Sequence, residues 1–180
     1  MSATADLIRH PATDCNPIRR IGVDMSRARD AITLCCHIEG EVSQLRIPVA
    51  GPAQRADDLW QHSCFEAFLQ ANGGDGYLEF NFSPSGAWAA YRFAGRRWGR
   101  ESPELTAPQM EVRQGPDWLA MYIQLSLADI AEFAGSIPIS AGLTAVIEDE
   151  RGGLSYWALA HGAARPDFHD PATFTLRLPA

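Results

Sequence analysis

The chain has 180 residues, 46% of them hydrophobic and 21% charged, the balance of a folded globular protein that can bury a real core rather than of a disordered one. Its formal net charge of −7 argues against a nucleic-acid or anionic-membrane partner, because both need positive surface to displace counterions. Arg92, Arg96, Arg97 and Arg100 are the local exception, but no nucleic-acid-binding motif accompanies them and a solvated hairpin end accounts for them.

The N-terminal stretch has no basic segment followed by an apolar run, so a secretory signal is not expected. No apolar stretch approaches the roughly 18–20 residues that span a bilayer. The expected location is the cytoplasm. Of the four cysteines, Cys35 and Cys36 are adjacent, so strand geometry points them to opposite faces, and no CxxC spacing occurs. Together with Cys15 and Cys64 they read as small, reduced thiols of a core.

In chain order, residues 19–25 place Ile21 and Val23 on alternation, and 31–39 alternates Ile32, Leu34 and Cys36 against Thr33, Cys35 and His37. Alternation of this kind is the signature of a half-buried strand. A short apolar run at 45–50, closed by Gly51 and Pro52, reads as another strand. Strands at 63–69, 76–83 and 87–95 follow, separated by NGGDG and PSG, whose glycines suit tight hairpins. Further strands are expected at 109–114, 118–126, 141–148, 154–159 and 173–178. Between them, Ser126 can cap one or two helical turns over 126–133, with Leu127, Ile130 and Phe133 on one face. The expected fold is all-β: one domain over residues 1–180, an antiparallel β-sandwich of about nine to eleven strands with one short helix.

The segment 60–93 carries the most information. Over 76–83, Leu78, Phe80 and Phe82 point to one face, and Tyr77, Glu79, Asn81 and Ser83 to the other. The first face is core; the second is wet surface or a binding face. The preceding strand is apolar on both faces, hence central, yet it carries Glu66 beside Cys64 and Phe68. A buried carboxylate needs a partner. Arg46, Arg92 or a ligand hydroxyl would each serve.

These residues resemble the central part of the DOMON-like ligand-binding domains, which include the family 9 carbohydrate-binding modules and related haem- or sugar-binding sandwiches. The resemblance rests on Glu66 to Phe68, on Gly76-Tyr77, on Glu79-Phe80 and on Asn81 leading to Gly86. It extends to the later Pro-x-Phe-His-x-Pro-x-x-Phe run that starts at Pro166, and in all it covers residues 57–178. It implies a bacterial branch of that superfamily and a small-molecule ligand, a carbohydrate or a similar polar molecule. The paired tryptophans of the family 9 modules have no clear counterparts here.

Sugar recognition needs aromatic faces to stack on a pyranose and carboxylates or amides to bind its hydroxyls. The candidate binding residues are therefore Trp60, His62, Glu66, Glu79, Asn81, Trp88, Trp157, His161 and His169, with Glu148 as a further polar partner. Trp60 and Trp157 lead as an exposed platform; the alternative is that both are core tryptophans. In related domains haem takes axial Met and His ligands, which would draw here on His62, His161 or His169 with Met25, Met110 or Met121. No haem-attachment motif is present. His161, Asp167 and His169 with Glu148, Asp149 or Glu150 could also gather round a metal, although their spacing matches no helical site. No GxSxG elbow or other catalytic motif stands out. The reading is of a non-catalytic ligand-binding domain without a resident cofactor; haem or metal binding with a redox or enzymatic role, and a protein-interaction module, are the alternatives.

Overall fold

The alternating segments form strands wherever two faces of different polarity had been read. In the computed structural model, which describes residues 2–14, 17–133 and 137–179, twelve strands are present. They are β1 (Ser2–Arg9), β2 (Ile18–Arg27), β3 (Ala31–Gly40), β4 (Gln54–Arg55), β5 (Cys64–Ala71) and β6 (Tyr77–Phe82). β7 (Ala87–Phe93), β8 (Gln109–Gln114), β9 (Trp118–Ser126), β10 (Ile139–Glu148), β11 (Leu154–Ala158) and β12 (Leu176–Leu178) complete the set. Cys15 lies outside the described residues.

Hydrogen bonding joins the strands in the order β4-β7-β6-β5-β10-β11-β1-β2-β3-β9-β8, and β12 also pairs with β10. The path turns at β1. Residues 2–7 pair with β2, while Ile8 and Arg9 pair with Ala158 and Trp157 of β11. β1 is thus the seam between two layers, β1-β2-β3-β9-β8 and β4-β7-β6-β5-β10-β11. All pairings are antiparallel except the short parallel contact of β4 with β7. The layers share one core: Ile21, Val23, Ile32, Leu34, Leu119 and Met121 on one side, Phe65, Leu69, Phe80, Phe82, Leu143 and Ile147 on the other. This is a β-sandwich, as the sequence indicated.

The three-strand meander β5–β6–β7 forms with the expected hairpins. In the second, Gly86 has φ +91°, and a Cβ there would lie 2.4 Å from the Gly51 carbonyl oxygen, so the turn requires glycine. Cys36 and Cys64 are buried free thiols, and Cys35 is half-buried.

Four expectations need correction. β1 was not anticipated. The 45–50 run is not a strand: Leu45 bridges to Asp149 and Leu45 is buried, but the segment then continues as irregular chain through Pro48. The last strand begins at Leu176 rather than 173, because Pro171–Thr173 forms a 3-10 turn capped by the Asp170 side chain, which accepts from the Ala172 N–H. The helix over 126–133 is not α-helical. Ser126 Oγ accepts from the Ala128 N–H at 3.2 Å, and the Ile130 and Phe133 N–H groups bond to the Leu127 and Ile130 carbonyls three residues back. That three-residue period still buries Leu127, Ile130 and Phe133 on one side.

Candidate functional site

The outer face of the β5–β6–β7–β10 layer, away from the shared core, carries the polar residues of the meander. The register sets them out in rows. Tyr91, Glu79, Phe68 and Gly142 lie side by side across β7, β6, β5 and β10; the next row is Ala89, Asn81, Glu66, Thr144 and Ala158. This face is not wet surface. Tyr77, Glu79, Asn81 and Ser83 are all buried; the segment 159–175 returns over the Tyr77 end, and the short turn Leu59–Gln61 packs on β5, β6 and β7.

Two anchors hold that segment down. Phe174 stacks on Phe68 with ring centroids 5.6 Å apart and meets Tyr77 edge-on at 5.6 Å. It fits because residue 142 is glycine: a Cβ there would lie 2.5 Å from Phe174 Cδ1. At the other anchor, Asp167 receives Arg96 at 2.5 Å and Arg97 at 3.0 Å from the end of the β7 hairpin. Burial works to raise the Asp167 carboxyl, but the hydrogen bonds from Arg96 and Arg97 outweigh it and hold it down at about 2.

Between segment 159–175, the hairpin end and the short turn Leu59–Gln61 lies a cleft of about 660 Å³. Its floor is Glu66, Phe68, Glu79 and Val146. Trp60, Tyr91, Phe93, Tyr156, Pro166, Phe168 and His169 form its walls, and Asp58, Arg97, Arg100 and Arg165 complete the lining. Asp58 and Arg97 are also the two non-glycine residues with positive φ among the described residues, at 59° and 55°. Each such position costs of order 1 kcal/mol, less for Asp, and strain of this kind gathers at functional sites.

The floor carboxylates lack strong partners. Thr144 Oγ1 donates to Glu66 at 2.8 Å, and Asn81 Nδ2 donates to Glu79 at 2.7 Å. Neither makes an ion pair with Arg46 or Arg92: Arg46 pairs with Glu148 and Arg92 with Glu132. Burial therefore pushes Glu66 up to about 8, helped by the nearby charge of Glu79. Burial raises Glu79 as well, opposed by the Asn81 hydrogen bond. Burial, and then the positive charge of Arg97, push His169 down to about 4. Its ring is neutral at pH 7, so the 3.6 Å approach of Nε2 to Glu79 is a polar contact rather than an ion pair. His169 Nδ1 shares a hydrogen bond with the Tyr77 hydroxyl at 2.8 Å.

Of the nine residues singled out in the sequence, Trp60, Glu66, Glu79 and His169 line this cleft, and Asn81 lies beside them holding Glu79. The other four lie elsewhere. Trp157 is buried in the shared core with its indole N–H on Ser155, so it offers no exposed platform, and Trp88 is a core residue too. Trp60, by contrast, is 48% exposed. His62 joins Arg46 on Glu148 at the end of β10. His161 bonds to the Ile8 carbonyl at 2.7 Å and meets His10 edge-on.

Of the methionines named for haem, Met25 and Met121 are packed in the shared core and Met110 borders it, partly buried, on β8. The metal alternative loses Asp167 to the two arginines, and no group of three or more His, Cys, Asp or Glu among the described residues is placed to hold a metal ion. Sequence reasoning missed Tyr156, Arg165 and Phe168 as lining residues. It noticed Arg97 and Arg100 as a charge cluster without assigning them to a site.

No protein-family model matches the chain, and no curated protein matches it in sequence. Solved structures do match its fold. A Bacteroides uniformis protein of suggested carbohydrate-binding function aligns over 99% of this chain and 85% of its own, with a TM-score of 0.72 and 14% identity. A family 9 carbohydrate-binding module from Caldicellulosiruptor kristjanssonii, solved in complex with glucose, aligns over 96% of this chain and 82% of its own (TM-score 0.60, 8% identity). A family 9 module from the same organism in complex with cellotriose gives a TM-score of 0.59 at 9% identity, covering 96% of this chain and 80% of that one. The chain therefore has a fold like that of the family 9 carbohydrate-binding modules.

Proposed function

We propose that the protein binds a carbohydrate, or a closely similar polyol, in the cleft on the outer face of β5–β6–β7–β10, without chemically altering it. The observation that carries this reading is the convergence of a half-exposed tryptophan, Trp60, with two buried carboxylates that have only neutral hydrogen-bond donors. Sugar hydroxyls, which both donate and accept, can pair with the Glu66 and Glu79 carboxyl groups, and an indole face can cover the apolar side of a pyranose. The cleft has the volume of a small-molecule site. The sugar-bound family 9 modules of similar fold support the same reading, as does the resemblance of the 57–178 stretch to DOMON-like domains.

Titration calorimetry against a panel of mono- and oligosaccharides tests it, with intrinsic fluorescence as a second signal because Trp60 would be desolvated. Trp60→Ala is expected to weaken the bound sugar about tenfold, the effect of losing one stacking surface. Its melting temperature should stay near that of the parent, since Trp60 belongs to neither buried cluster. Silence across the whole panel overturns the proposal.

A further inference from the structure

The charges of the cleft are sorted by depth. Glu66 and Glu79 sit on the floor, 4% and 5% exposed. Arg97, Arg100 and Arg165 are exposed residues at the opening, in a chain whose net charge is −7. Only one of these arginines is committed, Arg97 to Asp167. Arg100 rests its guanidinium 4.0 Å from the centroid of the Tyr91 ring. Neither Arg100 nor Arg165 has a hydrogen bond or ion pair with any described residue. Asp58 is the one exposed carboxylate in the lining, and burial leaves Glu66 largely protonated at neutral pH. An approaching ligand therefore meets two guanidiniums, Arg100 and Arg165, that no carboxylate among the described residues holds, with Asp58 and the Tyr91-bonded Asp57 near them, and hydrogen-bonding groups below.

We propose that the ligand is a saccharide carrying one acidic group, a carboxylate or a phosphate, whose hydroxyls reach Glu66 and Glu79 while the acid faces Arg100 and Arg165. This rests on the carbohydrate reading above and names the class of sugar. A guanidinium matches either anion through two parallel N–H donors. The Tyr91 ring supports the Arg100 guanidinium through a cation–π contact that takes up none of its N–H donors in hydrogen bonds. A neutral sugar would engage the floor and leave both arginines unused.

The test is calorimetry on the full chain with glucose, galactose and mannose, their uronic acids and their 6-phosphates, and inorganic phosphate alone. One acidic series should bind about tenfold more tightly than its neutral parent at low salt, with the gap shrinking as ionic strength rises. Which series wins identifies the acid as carboxylate or phosphate. Arg100→Gln with Arg165→Gln should bring that acid to within about twofold of the affinity the parent protein has for the neutral sugar. Arg165→Gln alone changes one exposed loop residue and should already narrow the gap. Neutral sugars binding as well as both acids, or a gap unmoved by either variant, overturn the acidic-ligand proposal and leave the carbohydrate reading standing. Inorganic phosphate binding as tightly as the sugar phosphates, with no preference for the uronic acids, also overturns the acidic-ligand proposal; if no sugar of any kind binds, both fall.

Discussion

Replacing Glu66 with glutamine will remove the loss of stability that the protein suffers between pH 6.5 and 8. In the folded state this carboxyl holds its proton up to about 8, because it is buried and because Glu79 lies nearby; its ordinary value is 4.5. Between those values the native state keeps a proton that the unfolded chain has lost, so stability falls as pH rises. His169 works in the opposite sense. Held down at about 4 against an ordinary 6.5, it is neutral in the native state where the unfolded imidazole is charged, so it adds stability as pH rises from 4 to 6.5. The two effects offset each other from about 4.5 to 6.5 and leave a plateau. Above 6.5 the Glu66 contribution remains. One proton is worth about 1.4 kcal/mol per pH unit, so the fall by pH 8 is on the order of 2 kcal/mol. In Glu66→Gln the fall disappears, and the rise due to His169 is uncovered below pH 6.5. Urea unfolding of both proteins at pH 5.5, 6.5, 7.5 and 8.5 reads this directly. Parallel stability curves would show that Glu66 does not titrate as described.

A second large effect is expected at Phe174. The ring is buried against Phe68, Tyr77 and the bare backbone of Gly142. Truncating a ring so placed costs about 3–5 kcal/mol through lost burial and the cavity left behind. Phe174→Ala should therefore lower the denaturation midpoint sharply. It should also weaken the proposed sugar binding, because segment 159–175 carries Arg165, Phe168 and His169 into the cleft. Gly142→Ala attacks the same contact from the sheet side by forcing the ring out of its seat. Since both changes act on one contact, the double variant should be less destabilised than the sum of the singles. Strict additivity would mean that the two residues do not depend on each other.

Much of the sandwich was legible because β3 and most of β9 bury alternate residues and β6 alternates aromatic with polar side chains, patterns that period-2 reading detects, while β5, buried on both faces, showed as an apolar run. β1 was not legible. Of its eight residues only Leu7 is buried and Ile8 is 58% exposed; the alternation of Ala3, Ala5 and Leu7 against Ser2, Thr4 and Asp6 is carried by two alanines, too small an apolar signal to mark a strand. Its partner β11 lies some 150 residues away and leaves no local trace in the sequence. The 45–50 run misled for the opposite reason: it is apolar, but Leu45 is its one buried residue. The floor of the cleft was readable from Glu66 and from the second face of β6. The walls were not, because 159–175 is irregular chain whose course is set by Asp167 and Phe174 rather than by any periodicity. The partner expected for Glu66 was misjudged because Arg46 and Arg92 each had a carboxylate closer at hand in space, Glu148 and Glu132.

The double tether of segment 159–175 has a kinetic consequence. A wall fixed by Asp167 at one point and Phe174 at another has already lost its conformational freedom before any ligand arrives, so association does not have to fund the ordering of a loop. Binding should then proceed in a single step whose observed rate rises linearly with sugar concentration, with no slower closing phase behind it. Cutting the polar tether with Asp167→Asn should slow association and steepen the entropic penalty, even where the floor of the cleft is untouched.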